Sequence, residues 1–218
     1  MSLIVGISGF IGSGKDTAAD YLVNHYDFHR DSFASTLKDV CAAVFGWDRI
    51  LIEGRDEGAR EWRNQVDKWW AEKLNIPHFT PRYALQNIGT NLFREYFNND
   101  IWILSLANKL RKTTSNTVIT DCRYPNEIAA IREHKGIMIR VVRGYDPEWY
   151  FTAQAALNGD SMAQVRMEQE FSIHTSEWAW INSKFDYIVY NNGTITDLYD
   201  QVNSIVKHHL ELNRPVST

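Results

Sequence analysis

Cysteine is almost absent: Cys41 and Cys122 are the two in 218 residues, and no metal-ligand spacing links them. A disulfide framework is therefore not expected, and a reducing cytoplasm is the compartment this usage fits. Long apolar runs are lacking too. MSLIVGISGF, residues 1–10, is apolar but carries no positive lead and falls short of the roughly 20 residues that cross a bilayer. It reads as a buried first strand, and no membrane contact is expected. Positive charge is in short supply, with 23 Lys and Arg against 27 Asp and Glu for a net charge of −4. That balance excludes broad, sequence-independent binding of nucleic-acid polymers, which needs a basic surface. Repeats and low-complexity linkers are also missing, so one domain with its own core is expected.

What the chain does contain is alternation. Short apolar runs at LIVGIS (3–8), HRDSFA (29–34), TVITD (117–121), GIMIRVVR (136–143) and DYIVYN (186–191) read as strands. Between them lie helical patterns over 14–24, 35–45, 59–74, 83–97, 102–112 and from Pro125 onward. In 35–45 the expected apolar stripe is Leu37, Val40, Cys41 and Val44; in 59–74 it is Trp62, Val66, Trp69, Trp70 and Leu74. A last amphipathic helix is capped by Thr194 or Thr196 and carries Leu198, Val202, Ile205 and Leu210. Strands alternating with helices predict a doubly wound α/β fold: a five-stranded parallel sheet in three α/β/α layers. Segment 145–180 is polar, fits that alternation poorly and reads as a helical lid insertion with a short helix at 161–171. The tail NRPVST is expected to fray.

The sharpest local signal is GFIGSGKDT, residues 9–17, with the G-x-x-x-x-G-K spacing of a phosphate-binding loop. A β-branched strand leads in and a helical pattern leads out, the setting that aims backbone N–H groups and a helix N-terminus at an anion. Lys15 then reaches the outer phosphates. Asp16 stands where the general pattern has Ser or Thr for magnesium, leaving Asp16 or Thr17 as the metal-side group. Asp121 ends a strand at the sheet edge where ligands of such folds gather, and it has two readings, metal assistance or helix capping. Arg123, two residues on, favours a site.

Together GSGKDTAADYL, SFASTLKDV, LQNIGT, TDCRYPNE and IHTSE resemble the deoxynucleoside monophosphate kinases of tailed bacteriophages, within the wider nucleoside monophosphate kinase group. The ordered set F-A-x-x-L-K-D, Q-x-x-G-T, D-x-R-x-x-x-E and H-x-S-E carries more weight than GKDT alone. The likeness runs from Leu3 to about Val206 and is patchy over 46–80 and 145–172. It implies ATP-dependent phosphorylation of a deoxynucleoside 5′-monophosphate, assisted by Mg2+, in a host cytoplasm. It also implies a helical acceptor-binding region over 46–100 and a lid over 145–180.

Matched by position, the resemblance puts Gly9, Gly12, Ser13, Gly14, Lys15, Asp16 and Thr17 around the ATP phosphates. Asn191, Asn192 and Gly193, after the fifth strand, stand either where adenine lies against backbone in this architecture, with Asn192 as the contact, or in a simple hairpin-like turn. It also brings in Lys38, Arg82, Gln86, Asp121, Arg123, Glu127, Arg143, His174 and Glu177. By chemistry, Lys38, Arg82 and Arg123 are the cations for the acceptor phosphate, because guanidinium forks match phosphate oxygens. Lys15, Arg123 and Arg143 are the catalytic candidates, Arg143 clamping donor phosphates or stacking on adenine, with Arg140 and Arg166 weaker choices. Asp16, Thr17 and Asp121 are the metal-side candidates. Gln86 either pairs with a base edge or is a buried amide satisfied by backbone, and Gly89-Thr90 permits close approach. His174 and Glu177 order the lid, touch the nucleotide or simply pair with each other. Trp62, Trp69 and Tyr83 are candidate pocket walls, and the aromatic helices at 59–97 a candidate homodimer face. Two other readings stand beside this one: a kinase of another phosphorylated acceptor, of dephospho-coenzyme A or phosphomevalonate type, and a non-catalytic ATP-binding switch.

Overall fold

The structure, a computed structural model, describes residues 2–212; the tail NRPVST lies outside them. Two compact units divide the chain. One holds the chain up to Ser32 and from Lys109 onward, and the other holds Phe33–Asn108.

The first unit is the sheet. β1 (Ile4–Ser8), β2 (His29–Asp31), β3 (Thr117–Ile119), β4 (Ile137–Val142) and β5 (Tyr187–Tyr190) pair in parallel in the order β2-β3-β1-β4-β5. β1 sits centrally, with Val5 opposite Val118 on one side and Ile137 on the other. Its burial is unbroken, as a strand covered on both faces requires. On one face Val5, Ile7, Ile139 and Val141 pack with Ala18, Ala19 and Leu22 of α1 (Lys15–Tyr26) and with Leu198, Val202 and Val206 of α11 (Ile195–Leu212). On the other, α8 (Pro125–Glu133) covers β1 and β4 with Ile128 and Ile131. The predicted five-stranded parallel sheet with helices on both sides is the fold found.

Local chemistry sets the boundaries. Pro125 opens α8, and buried Glu127 accepts from the N–H groups of Arg123 (2.7 Å) and Tyr124 (3.1 Å), satisfying donors ahead of the helix. Thr194 caps α11: its hydroxyl accepts from the Asp197 N–H at 3.2 Å while the Asp197 carboxylate accepts from the Thr194 N–H at 2.7 Å. Segment 145–180 contains α9 (Tyr150–Leu157), which the sequence pattern did not reveal, then α10 (Ser161–Arg166), a π-helical turn Met167–Phe171 and a 3-10 turn Thr175–Glu177. β2 is shorter than the predicted 29–34, because the chain turns after Asp31.

The second unit is helical: α2 (Ser35–Phe45), α3 (Arg49–Glu53), α4 (Glu57–Trp62), α5 (Lys68–Leu74) and α6 (Pro81–Gln86), then a π-helical stretch Asn87–Phe97 and most of α7 (Ile101–Leu110). Its core joins Leu37, Cys41, Trp47, Ile52, Phe79, Ala84 and Trp102. Tryptophan is spent on packing here: Trp47 stands edge-on to Trp62 at 6.0 Å, and Trp70 edge-on to Phe45 at 5.1 Å. Three expectations need correction. The single helix over 59–74 is two, because Asp67 accepts the Trp70 N–H at 3.1 Å and starts a new one, held in place by the Trp47 indole at 2.8 Å. The helix over 83–97 begins at Pro81, capped by Thr80, and changes to π geometry at Asn87. Val44 leaves the expected stripe and is exposed, whereas Leu37 and Cys41 are buried.

Both cysteines are free and buried; burial pushes the Cys41 thiol up to about 11 and raises that of Cys122, so neither is a reactive thiolate. Around α3, burial alone would raise the Glu53 pKa, but hydrogen bonds from Lys38 (2.7 Å) and Arg49 (2.6 Å) outweigh it and draw the carboxyl down to about 2. A depressed carboxyl contributes stability that is complete above its ordinary pKa of 4.5 and is lost as pH falls through about 2. We expect Glu53→Gln to destabilise the protein by on the order of 2 kcal/mol at neutral pH, because two cations lose their partner. The difference should shrink towards zero as pH falls to about 2. Urea midpoints of both proteins across that window check it, and an unchanged difference in acid would refute it.

Candidate active site

The chain leaves β1 at Ser8, whose hydroxyl donates to the Cys122 carbonyl at 2.8 Å, and turns through residues 9–14 into α1. Gly14 has φ of 102°, and a Cβ there would overlap the Asn191 amide. That amide donates to the Ser13 carbonyl at 2.9 Å, so the segment after β5 pins the loop where it enters the helix. Ser13 Oγ is buried with no hydrogen-bond partner among the described residues. Lys15 Nζ lies back over the loop and donates to the carbonyls of Gly9 (2.9 Å) and Phe10 (2.8 Å). Burial first, and Arg123 second, push its pKa below the ordinary lysine range, with Asp16 and Glu177 acting in the opposite direction. A half-buried cation crowded by another cation is the electrostatic setting of an anion site.

The unusual Asp16 now has a partner. Its carboxylate pairs with Arg30 of β2, which also holds Asp20 at 2.8 Å and the Thr120 hydroxyl at 3.2 Å. Sequence reasoning missed Arg30, because 14 residues separate it from Asp16 and β2 alone brings it there. Thr17 and Asp121 are each half-buried, on α1 and in the loop after β3.

Arg123 pairs with Glu177, joining the loop after β3 to the 3-10 turn. His174 is exposed and caps that turn, its Nδ1 sharing a hydrogen bond with Ser176 Oγ at 2.8 Å. The expected alternative of a His174–Glu177 link is thus replaced by Arg123–Glu177. Asn192 is exposed and accepts from the Gly144 N–H at 2.7 Å. Arg143 follows β4 exposed, with no ion pair among the described residues. Arg140 is buried among Phe10, Tyr150 and Trp180, and Arg166 is exposed and paired with Glu170 at 2.8 Å.

In the second unit, Lys38 is committed to Glu53. Gln86 is exposed, which removes the reading of a buried amide satisfied by backbone. The close approach expected at Gly89-Thr90 is made by Leu37 against Gly89, whose carbonyl accepts from the Trp102 indole at 3.0 Å. Arg82 is exposed and belongs to a group that the sequence pattern did not reveal. Its N–H donates to the Arg63 carbonyl at 2.9 Å, and the Arg63 guanidinium lies so close to Gly54 that a Cβ there would overlap it. Arg60 donates to the Gly54 (3.2 Å) and Arg55 (2.9 Å) carbonyls beside them. Arg63 Nε is buried without a partner among the described residues. Burial, then Arg82 and Arg60, lower its pKa against the pull of Glu53. None of the three arginines makes an ion pair among the described residues.

A parallel sheet whose central strand feeds a glycine loop, a half-buried lysine and a helix N-terminus defines a phosphate-loop α/β protein. Comparison with known proteins then narrows the class. The chain is 28% identical over 225 residues to a protein of Acanthamoeba polyphaga mimivirus, covering 97% of this chain and all of that one, provisionally named a deoxynucleotide monophosphate kinase. It is 26% identical over 182 residues to the deoxynucleoside-5′-monophosphate kinase of Escherichia phage T5, across 61% of this chain and 73% of that one. The resemblance read from the motifs is therefore one to curated viral proteins of that name. Dephospho-CoA kinase from Campylobacter jejuni superposes with a TM-score of 0.45 at 15% identity over 98% of this chain and 100% of that one. No protein-family model matches the chain.

Proposed function

We propose that this chain transfers the γ-phosphoryl group of ATP to the phosphate of a deoxynucleoside 5′-monophosphate, giving ADP and a deoxynucleoside diphosphate. The observation that carries the reading is Lys15, half-buried and held at the mouth of a phosphate loop, in a chain whose curated relatives bear that activity in their names. An oxygen of the acceptor phosphate attacks Pγ, the bond from Pγ to the bridging oxygen breaks, and ADP leaves with that electron pair. No base is needed, since the attacking oxygen is already anionic near neutral pH. The work is alignment and charge stabilisation.

Lys15 leaves its two carbonyls for the β- and γ-phosphates. The N–H groups of the loop and of α1 take the remaining donor oxygens. Arg123, its fork oriented by Glu177, stabilises charge on the transferred group. In the second unit Arg63 and Arg82, steadied by Arg60, hold the acceptor phosphate, and exposed Gln86 reads the base edge. Lys38 supports this region through Glu53. Segment 145–180 acts as a lid that excludes water, with exposed Arg143 at its root to meet the donor. His174 and Glu177 order its far end, and Asn191 and Asn192 flank the adenine.

Thr17 and Asp121 are hard-oxygen donors suited to Mg2+, with Asp16 aligned by Arg30. Among the described residues no group of three or more His, Cys, Asp or Glu gathers as a metal cage, so the ion would lean on nucleotide oxygens and water. When bound, it neutralises phosphate charge. The exposed Trp69, Leu92, Tyr96 and Phe97 are the face through which a homodimer would form. No helix among the described residues is long and apolar enough to cross a membrane; cytoplasmic residence accords with the free thiols.

A coupled ADP-release assay over a panel of nucleoside monophosphates tests the reading. We expect turnover with at least one deoxynucleotide in the presence of Mg2+. A folded, ATP-binding protein that turns over none of them would overturn it.

A further inference from the structure

Phe10 occupies the second position of the phosphate loop, where the G-x-x-x-x-G-K spacing asks for no particular side chain. Here its ring is enclosed. Trp149 stands edge-on at 5.3 Å, Tyr150 edge-on at 6.1 Å, and Trp180 lies tilted at 4.9 Å. Arg140 of β4 completes the enclosure, its Cζ 5.9 Å from the Phe10 centroid, 5.6 Å from Tyr150 and 5.4 Å from Trp180. The guanidinium donates to the Tyr150 hydroxyl (3.3 Å) and the Asp146 carboxylate (3.1 Å), while its Nε is buried with no partner among the described residues.

The backbone of the same residue carries the loop's own polar contacts. The Phe10 carbonyl accepts from Lys15 Nζ at 2.8 Å and from the Ser13 N–H at 3.2 Å, which closes the turn. The residue before it, Gly9, has φ of 150°, and a Cβ there would overlap the Val141 carbonyl. Phe10 is thus the point where the phosphate loop is fastened to the sheet and to segment 145–180 together. A glycine-rich loop free to sample many conformations must be ordered when a polyphosphate binds, at a cost of on the order of 1 kcal/mol or more per residue fixed. A loop fastened beforehand avoids that cost.

We propose that Phe10 and Arg140 are positioning residues for the donor: their clamp with Trp149, Tyr150 and Trp180 pre-forms the phosphate loop and sets its affinity for nucleoside di- and triphosphates. Both act through their side chains, to which no phosphate contact is assigned. Arg140 acts through stacking, so a lysine, lacking the flat guanidinium, does not replace it. The ring of Phe10 acts through shape, so tyrosine does replace it.

ADP titrations by calorimetry on the full chain test this without turnover or acceptor. Phe10→Leu is expected to weaken ADP by on the order of tenfold, Phe10→Tyr to stay within about twofold, and Arg140→Lys to fall with Phe10→Leu. In steady state the loss should appear in KM for ATP, with KM for the acceptor unchanged. Phe10 lies at a loop, so Phe10→Leu remains informative even if the strand variant Arg140→Lys folds poorly. Wild-type affinity in a folded Phe10→Leu protein, or equal loss in Phe10→Tyr and Phe10→Leu, would overturn the proposal. The inference rests on the proposed function only as far as the loop binding nucleotide. Wild-type protein that binds ADP but phosphorylates no nucleoside monophosphate would defeat the kinase reading and leave this comparison standing.

Discussion

Lys15→Ala should yield a folded protein whose phosphoryl-transfer rate has fallen by on the order of a thousandfold. The size follows from what Lys15 is asked to do. Charge in the transition state spreads over the transferred group and the bridging oxygen, and a half-buried ammonium acts there with less screening than one in open water. Its two carbonyl partners, on Gly9 and Phe10, lie on half-buried residues at the loop mouth, so water replaces the lost donor and the fold is barely affected. The pH dependence gives an independent check. Burial and Arg123 lower the Lys15 pKa, and only the protonated form binds phosphate. Donor binding is therefore complete below that lowered pKa and decays as pH rises through it, earlier than an ordinary lysine would allow. The variant should lack this alkaline limb. Full activity in Lys15→Ala, or an alkaline limb that survives the substitution, would remove the donor site from the loop.

What could be read from the chain and what could not divide along sequence distance. The phosphate loop was legible because strand, glycines, lysine and helix are contiguous, and each demands the next. The centre of the sheet was legible because β1 and β3 are buried along their whole length and so carry no charge. The second unit was harder. Its 59–74 stripe has helical spacing throughout, yet Asp67 accepts the Trp70 N–H and breaks the helix, a choice tied to the distant Trp47 indole. The candidate list suffered in the same way. Lys38 has the charge for a phosphate, but Glu53, placed beside it by α3, already holds it. Arg30 escaped notice because only the strand order brings it to Asp16. Arg63 gave no motif at all: its environment exists only once Gly54 turns the chain and lets a guanidinium lie against it.

That environment makes Arg63→Met the second large effect, and its signature is unusual. We expect KM for the acceptor to rise by on the order of a hundredfold, since a charge-assisted bidentate contact to phosphate is lost. KM for ATP should hold, because the donor loop belongs to the other unit. Stability should hold or increase. Arg63 is destabilised where it stands, by burial first and then by Arg82 and Arg60, and its Nε has no partner among the described residues; methionine fills similar volume and carries no charge to desolvate. A structural arginine behaves in the opposite way, costing stability when removed and leaving the acceptor KM alone. Arg82→Met should share the acceptor defect with little change in stability, since its exposed side chain makes no ion pair among the described residues. Initial-rate kinetics in both substrates, with urea midpoints on the same three proteins, separate the cases. A destabilised Arg63→Met protein with an unchanged acceptor KM would return the cluster to mere packing. A half-buried guanidinium crowded by two exposed ones is unfavourable in isolation, and an arriving dianion is the ligand that reverses its sign.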